Sequence, residues 1–122
     1  YNANPASVRA AIDVLSSRSG HRIFVMGDMA ELGVETQLAH AEMGAYACKG
    51  SIDEFFSIGE FSRGAADAFG ENAHWFASNE SLLRFLKSQL KPDTTVLVKG
   101  SRSARMDRVV SEIIIKDQET GI

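Results

Sequence analysis

The segment with the clearest capacity for chemistry lies where an apolar run gives way to cations near the end of the chain. Residues 96–98 are apolar and typical of a strand, and Lys99, Gly100, Ser101 and Arg102 follow at once. A buried amine is costly unless it meets an anion, so Lys99 predicts a site for a phosphate or carboxylate. A lysine whose stem packs on apolar neighbours while its amine reaches water would give the same pattern.

Three further polar clusters have a comparable position, at the end of a strand-like run or the start of a helical one. They are residues 1–4 with Asn2 and Asn4, residues 27–31 with Asp28, and residues 59–63 with Glu60 and Arg63. An aspartate after a strand commonly binds a ribose hydroxyl or a metal-bound phosphate, but aspartate is also a frequent turn residue. Each cluster alone could simply be a solvated loop.

Strands and helices alternate along the chain after a first helix that begins at Asn4–Pro5 and ends before Gly20. The predicted strands are 22–26, 54–58, 74–77 and 95–99, and the predicted helices between and after them cover 36–49, 61–69, 79–90 and a segment around 106–113, with a fraying tail from Lys116. This alternation predicts an α/β fold: a Rossmann-like three-layer sandwich with a mostly parallel sheet and helices on both faces. Because parallel strands end at a common edge, we expect the four polar clusters to share one rim.

Composition favours a single globular domain covering residues 1–122. Hydrophobic residues make up 44% of the chain and charged residues 24%, which suggests neither disorder nor a membrane span. The formal net charge of -3 argues against a nucleic-acid partner. The single cysteine, Cys48, cannot form an internal disulfide, which fits a cytoplasmic setting, and we predict that it fills the apolar face of its helix.

Several kinds of site are absent from the sequence. His21, His40, His74 and Cys48 have no metal-binding spacing, so no metal site is predicted. The chain has no G-x-x-x-x-G-K-[ST] phosphate loop and no G-x-G-x-x-G motif after a strand, so we do not expect it to bind and activate ATP unaided. The chain also begins in a turn that enters a helix, and it lacks an initial Met. We therefore expect an excised piece whose first strand lies upstream of Tyr1, or a sheet in which another strand takes that place.

Three motifs in order carry a resemblance to a known family. They are YNANP at residues 1–5, GDMAELG at residues 27–33 with His40 downstream, and VKGSR at residues 98–102. Together they resemble the carboxy-terminal domain of the Mur ligase family, and the similarity covers nearly the whole chain.

The resemblance implies that the chain is the third, lid-like domain of an ATP-dependent amide ligase in cytoplasmic peptidoglycan precursor synthesis, inactive when isolated. The implied substrates are UDP-N-acetylmuramoyl-tripeptide and D-alanyl-D-alanine, and the implied cofactors are ATP and Mg2+, held mainly by a central domain that this chain lacks. The substrate carboxylate becomes an acyl phosphate, which the amine attacks. The other two domains of the polypeptide are the implied partners, with no membrane partner.

The family also implies roles for individual residues. Asn2 and Asn4 would approach the adenosine portion of the nucleotide, and Asp28 would lie near its ribose or the domain junction. The residues expected to face the amino substrate or the negative charge of the reacting centre are Lys99 as the catalytic group, Ser101 and Arg102 beside it, and Glu60 and Arg63 on a neighbouring loop.

Two other functions are compatible with the residues themselves. In a receiver-like signalling domain, Asp28 would be the phosphoacceptor and Lys99 its companion lysine, although no acidic pair is present at an earlier strand end. A non-catalytic binding module would bind a ligand at the rim without supporting ligase activity.

Overall fold

The computed structural model describes residues 3–30 and 32–100, and within them every predicted strand and helix is present. The elements are α1 Pro5–Ser16, β1 His21–Gly27, a short 3-10 helix Gly33–Glu35, α2 Thr36–Lys49, β2 Glu54–Ile58, α3 Ser62–Phe69, β3 Ala73–Phe76, α4 Asn79–Gln89 and β4 Thr94–Lys99. The predicted helix around residues 106–113 and the tail from Lys116 lie outside the described residues, as does the segment expected upstream of Tyr1.

The strands form one parallel sheet in the order β3-β2-β1-β4. This confirms the predicted α/β class. The chain moves outward from β1 through β2 to β3 and then crosses back, so that β4 pairs with the opposite side of β1. A reversal of this kind opens a crevice outside the carboxyl ends of the two strands that flank it, here β1 and β4, and ligands of open parallel sheets bind there.

Each face of the sheet is covered by helices, and each has its own apolar core. The first core contains Phe24, Met26 and Phe55 with residues of α1, α2 and α3. The second contains alternate residues of the same strands, among them Val25 and Phe56, with the buried leucines of α4. Successive strand residues point to opposite faces, so an unbroken apolar run such as 23–26 serves both cores.

The prediction that Cys48 packs on an apolar helix face is wrong, because Cys48 is exposed. The buried residues of α2 are His40, Met43, Gly44 and Ala47, which is helical spacing along one stripe. At about 100° per residue, position 48 is rotated roughly 40° from Gly44 and lies at the margin of this stripe, where the sequence alone does not determine burial.

Helices α2 and α3 approach so closely that one glycine is required between them. A Cβ atom at Gly44 would lie 1.9 Å from the carbonyl oxygen of Ala65 and 2.9 Å from its Cα. Backbone atoms cannot move aside as the end of a flexible side chain can. The crossing of α2 over α3 therefore sets the position at which α3 begins.

We expect Gly44→Ala to lower the free energy of unfolding by about 1–3 kcal/mol, the usual cost of forcing a methyl group into a packed contact. Gly64→Ala in α3 is the matched control, because a Cβ at Gly64 meets nothing within 4 Å. Alanine there should be neutral or stabilise the chain by up to about 1 kcal/mol through helix propensity. Urea denaturation of the 122-residue chain measures both, and equal effects of the two variants would contradict the close crossing.

Candidate functional site

The rim at the carboxyl ends of β1 and β4 brings two of the predicted site residues onto adjacent strands. Asp28 directly follows β1, and Lys99 is the last residue of β4. Met26 of β1 is the register partner of Lys99. Since neighbouring strands are about 4.8 Å apart, the two chain ends flank the same crevice at the point where the strand order reverses.

Lys99 leaves β4 on the face that carries α1, α2 and α3. Its register partner Met26 belongs to the first core, and Leu97, two residues earlier on β4, packs against that core as well. The residue is half-buried, as the sequence predicted from its apolar neighbours. No acidic side chain among residues 3–30 and 32–100 forms an ion pair with Lys99, so within the described chain its charge is available to an anion.

Asn4 lies at the same rim, because α1 runs against β1 and β4 in the opposite direction to the strands. Its side-chain oxygen accepts the backbone N–H of Ser7 at 2.9 Å, and the Ser7 hydroxyl accepts the backbone N–H of Asn4 at 3.0 Å. This reciprocal capping box begins α1. The oxygen of Asn4 is therefore engaged, which leaves its amide group to donate to a ligand.

Asp28 caps a helix that is distant from it in sequence. Its Oδ1 accepts the backbone N–H of Ser62 at 2.8 Å and the Ser62 hydroxyl at 2.7 Å, and its Oδ2 accepts the backbone N–H of Phe61 at 3.3 Å. Helix α3 has no side-chain cap of its own at Phe61. The carboxylate of Asp28 supplies this cap and meets the positive end of the helix dipole.

Gly59 makes room for this carboxylate. Its φ of +110° is a left-handed conformation that L side chains rarely adopt, and an added Cβ would lie 2.5 Å from the Asp28 carboxyl group. Gly59, which follows β2, thus leaves space for the side chain of Asp28, which follows β1.

Glu60 and Arg63 sit beyond β2, on the far side of β1 from Lys99. Both are exposed. The Arg63 guanidinium lies over the Trp75 ring, 4.7 Å from its centroid, and the Trp75 indole N–H donates to the Gly59 carbonyl at 2.8 Å. Arg63 therefore braces the β2–α3 turn, while about two strand spacings, roughly 10 Å, separate this turn from the end of β4.

Three of the predicted site residues, Asn2, Ser101 and Arg102, lie outside the described residues, so their placement at the rim is still a prediction. Two other residues, which the sequence reasoning did not place at the rim, bond the loop that follows β1. Ser62 bonds Asp28, and fully buried His40 donates from Nδ1 to the Thr36 carbonyl at 2.6 Å while its Nε2 accepts the Met29 backbone N–H at 2.9 Å. The position of His40 in the stripe 40, 43, 44 and 47 is the signal that could have found it.

Two side chains away from this rim, Tyr46 and Asp53, have shifted pKa values. The hydrogen bond to Asp13, at 2.6 Å, raises the pKa of the Tyr46 phenol and links α2 to α1. Burial alone would raise the pKa of Asp53, but hydrogen bonds from the amide and guanidinium of Arg22, with the charges of Arg22 and His21, lower it below the ordinary 3.8. The ionised Asp53 therefore contributes to the stability of the fold at pH values above its ordinary pKa of 3.8. This contribution to stability is lost as the pH falls through the lower pKa of the folded state.

The described residues contain no group of three or more His, Cys, Asp or Glu side chains that could hold a metal ion. Nor does any helix in the described part of the chain combine the length and apolar character needed to cross a membrane. The described rim thus combines the half-buried amine of Lys99, the side-chain amide of Asn4, the Ser62 hydroxyl and the Asp28 carboxylate. This combination suits the binding and positioning of an anionic ligand.

Residues 1–102 match the family model described as "Mur ligase, glutamate ligase domain". The chain is 42% identical, over 99% of its length, to UDP-N-acetylmuramoyl-tripeptide--D-alanyl-D-alanine ligase of Escherichia coli (strain K12), of which it covers 26%. It therefore spans about a quarter of the length of this relative.

Solved structures have the same fold. A crystal structure of MurF from Acinetobacter baumannii superposes with a TM-score of 0.84 and 31% identity, over 92% of this chain and 26% of that one. MurF ligase from Thermotoga maritima in complex with ADP gives a TM-score of 0.84 at 23% identity, over 98% of this chain and 28% of that chain. At that identity the likeness concerns the fold alone.

We expect Asp28→Ala to lower the free energy of unfolding by about 1–2 kcal/mol, because it removes the cap of α3 and leaves its first N–H groups without this acceptor. Asp67→Ala is the control, since Asp67 is an exposed carboxylate in the same helix and its loss should change stability by less than about 0.5 kcal/mol. Denaturant titration of both variants measures the difference. An Asp28→Ala chain as stable as the Asp67→Ala chain would rule out the capping role.

Proposed function

The chain belongs to the Mur ligase family, and from that premise we propose that it is the carboxy-terminal lid domain of an ATP-dependent carboxylate–amine ligase. The full protein would add D-alanyl-D-alanine to UDP-N-acetylmuramoyl-tripeptide in the cytoplasm, for cell wall synthesis. The 42% identity to an enzyme named for those substrates supports this assignment. Residues 1–122 would be the third domain, and the other domains would be its partners within the polypeptide.

The observation that carries the proposal is the position of Lys99 at the end of β4, with the Asp28 loop at the end of the neighbouring strand β1. Amide formation through an acyl phosphate accumulates negative charge on phosphate and carboxylate oxygens, and catalysis depends on positioning and on preorganised positive charge. Lys99 is a half-buried cation at the crevice without an acidic partner among the described residues. We assign it to that charge, with Ser101 and Arg102 beside it.

The nucleotide would approach the other side of the crevice, where Asn4 and Asp28 lie and where we also place Asn2. The Oδ2 atom of Asp28 makes one long hydrogen bond of 3.3 Å, and the side chain is 25% exposed. Its remaining lone pairs can accept a ribose hydroxyl without breaking the cap of α3, since a carboxylate oxygen has two acceptor sites. Glu60 and Arg63 lie farther from Lys99 and would contact the amino substrate at its periphery.

ATP and Mg2+ would be held mainly by the rest of the polypeptide. The sequence has no phosphate loop, and the described residues contain no metal-ligating cluster. Mg2+ would neutralise and orient the phosphates of ATP. What this chain would contribute is a cation, a cover that excludes water from a hydrolysable intermediate, and groups that orient the amine.

Two exposed apolar residues beside the rim support the proposal that the chain is a lid that docks on another domain. Val34 of the 3-10 helix is 103% exposed and Leu38 in the first turn of α2 is 62% exposed. They follow the Asp28 loop directly. Large side chains left in water next to a candidate site indicate an interaction surface, and about three-quarters of the length of the relative in E. coli lies outside the matched region.

The family match argues against the receiver-like alternative, and so does the geometry of Asp28, whose Oδ1 accepts two hydrogen bonds from Ser62. A binding module without catalytic function is the alternative that kinetics must separate. It would lose ligand affinity on mutation of the rim but would not change ligase turnover.

We expect Lys99→Ala in the full-length ligase to lower the turnover number by about 10²–10³-fold, the usual effect of removing one preorganised charge from a transition state. Lys91→Ala is the control, because Lys91 is exposed just before β4, at the amino ends of the strands and far from the rim, and should leave turnover unchanged. Phosphate release that depends on D-alanyl-D-alanine is the assay. An unchanged turnover number for Lys99→Ala would argue strongly against a catalytic role, and ATP hydrolysis by the isolated chain would argue against a lid.

The double variant Val34→Ser, Leu38→Ser should reduce kcat/KM of the full-length ligase at least about tenfold, since even partial burial of two such side chains contributes more than about 1.4 kcal/mol to docking. Val14→Ser is the matched control. Val14 is also apolar and 48% exposed, but it lies in the later part of α1, away from the rim. If the double variant and the control have the same kinetics, the apolar pair is not a docking surface.

A further inference from the structure

His40 is a buried polar side chain whose two ring nitrogens are both committed. The carbonyl oxygen of Thr36 can only accept, so Nδ1 carries the proton of the 2.6 Å hydrogen bond between them. The Met29 amide can only donate, so Nε2 must present its lone pair at 2.9 Å. These two contacts fix one neutral tautomer.

This assignment also decides the nature of the contact between His40 and Asp28. The Nε2 atom is 3.9 Å from Asp28 Oδ1, which would be an ion pair if the ring were protonated. Because Nε2 carries a lone pair that faces the Met29 amide, the two groups are neighbours without a shared proton. The Phe61 ring, 5.7 Å from the imidazole between centroids, packs beside the imidazole.

Residues 28 and 29 are therefore fixed by contacts with α2, with the start of α3 and with the first core. The Asp28 carboxylate is bonded to Ser62 and Phe61 at the start of α3, the Met29 amide is bonded to His40 of α2, and the Met29 side chain is buried in the first core. Of these contacts, the His40 bond is the one that acts on the backbone of the loop itself. It joins α2 to the end of β1, on the strand next to Lys99.

We propose that His40 is a positioning residue of the ligase site, acting through the Met29 amide to fix the loop that follows β1 so that Asp28 faces the nucleotide. This inference rests on the proposed function. His40 cannot be a catalytic residue itself, because it is fully buried and neither nitrogen is free to meet a substrate. Its effect would appear in how well the loop is preorganised.

The test uses the full-length ligase with His40→Leu and His40→Gln. Leucine fills the space but cannot accept the Met29 N–H, whereas the glutamine carbonyl can reach the place of Nε2 and accept it. Hydrogen–deuterium exchange of the peptide containing residues 27–30 should be about tenfold faster in His40→Leu and within about threefold of the wild type in His40→Gln. We expect the KM for ATP to follow the same order, with a smaller change in kcat.

Leu86→Ala provides the control for a general loss of stability, because Leu86 is buried in the second core, on the opposite face of the sheet. It should destabilise the fold without raising the KM for ATP. Unchanged exchange in His40→Leu would overturn the inference. So would faster exchange with wild-type kinetics, or a kinetic loss that Leu86→Ala reproduces and His40→Gln does not rescue.

Two different measurements separate the positioning role of His40 from the proposed function of the protein. If the wild-type protein showed no turnover dependent on D-alanyl-D-alanine, the proposed function would fail. If the wild-type enzyme were active but the loop exchanged at the same rate with and without the imidazole, the positioning role alone would fail.

Discussion

The hydrogen bonds between the Asp28 carboxylate and the start of α3 constrain the rest of the rim. A charge at the end of β1 satisfies the free N–H groups of a helix that begins more than thirty residues later. Gly59 must keep its left-handed conformation and lack a side chain for this contact to form. The close crossing at Gly44 places α3 where its first turn can meet the carboxylate, so packing between helices and polar contacts at the rim depend on one another.

This constraint explains why most polar groups of the rim are engaged in contacts within the domain. Asn4 caps α1, Asp28 caps α3, and Arg63 packs over Trp75. Among the described site residues, Lys99 is the cation whose charged group has no such local partner. A rigid frame with one uncommitted cation suits a domain that brings charge to a reaction assembled on another part of the polypeptide, because little reorganisation is needed when the domains close.

The sequence was sufficient for features that depend on neighbours along the chain. The Asn4–Pro5 start of α1 and the glycines after α2 and α3 are local cap signals, and the strands follow from short apolar runs. The alternation of strands and helices then predicts the parallel sheet. The contacts that build the site join residues far apart in sequence. The bond from Ser62 to Asp28 and the tautomer of His40 depend on how α2 and α3 cross, which no periodicity encodes. Cys48 was misplaced for a related reason, since the edge of a buried stripe depends on the neighbouring helix.

In the proposed function, this rim completes a site whose other half lies in the rest of the polypeptide, with Lys99 at the developing negative charge. A structure of the full-length ligase with a non-hydrolysable ATP analogue and both other substrates tests it most directly. We expect the Lys99 Nζ to lie within about 4 Å of a phosphate or carboxylate oxygen at the reacting centre, the distance of an ion pair. An Nζ that points to solvent in the closed, fully liganded enzyme would contradict it.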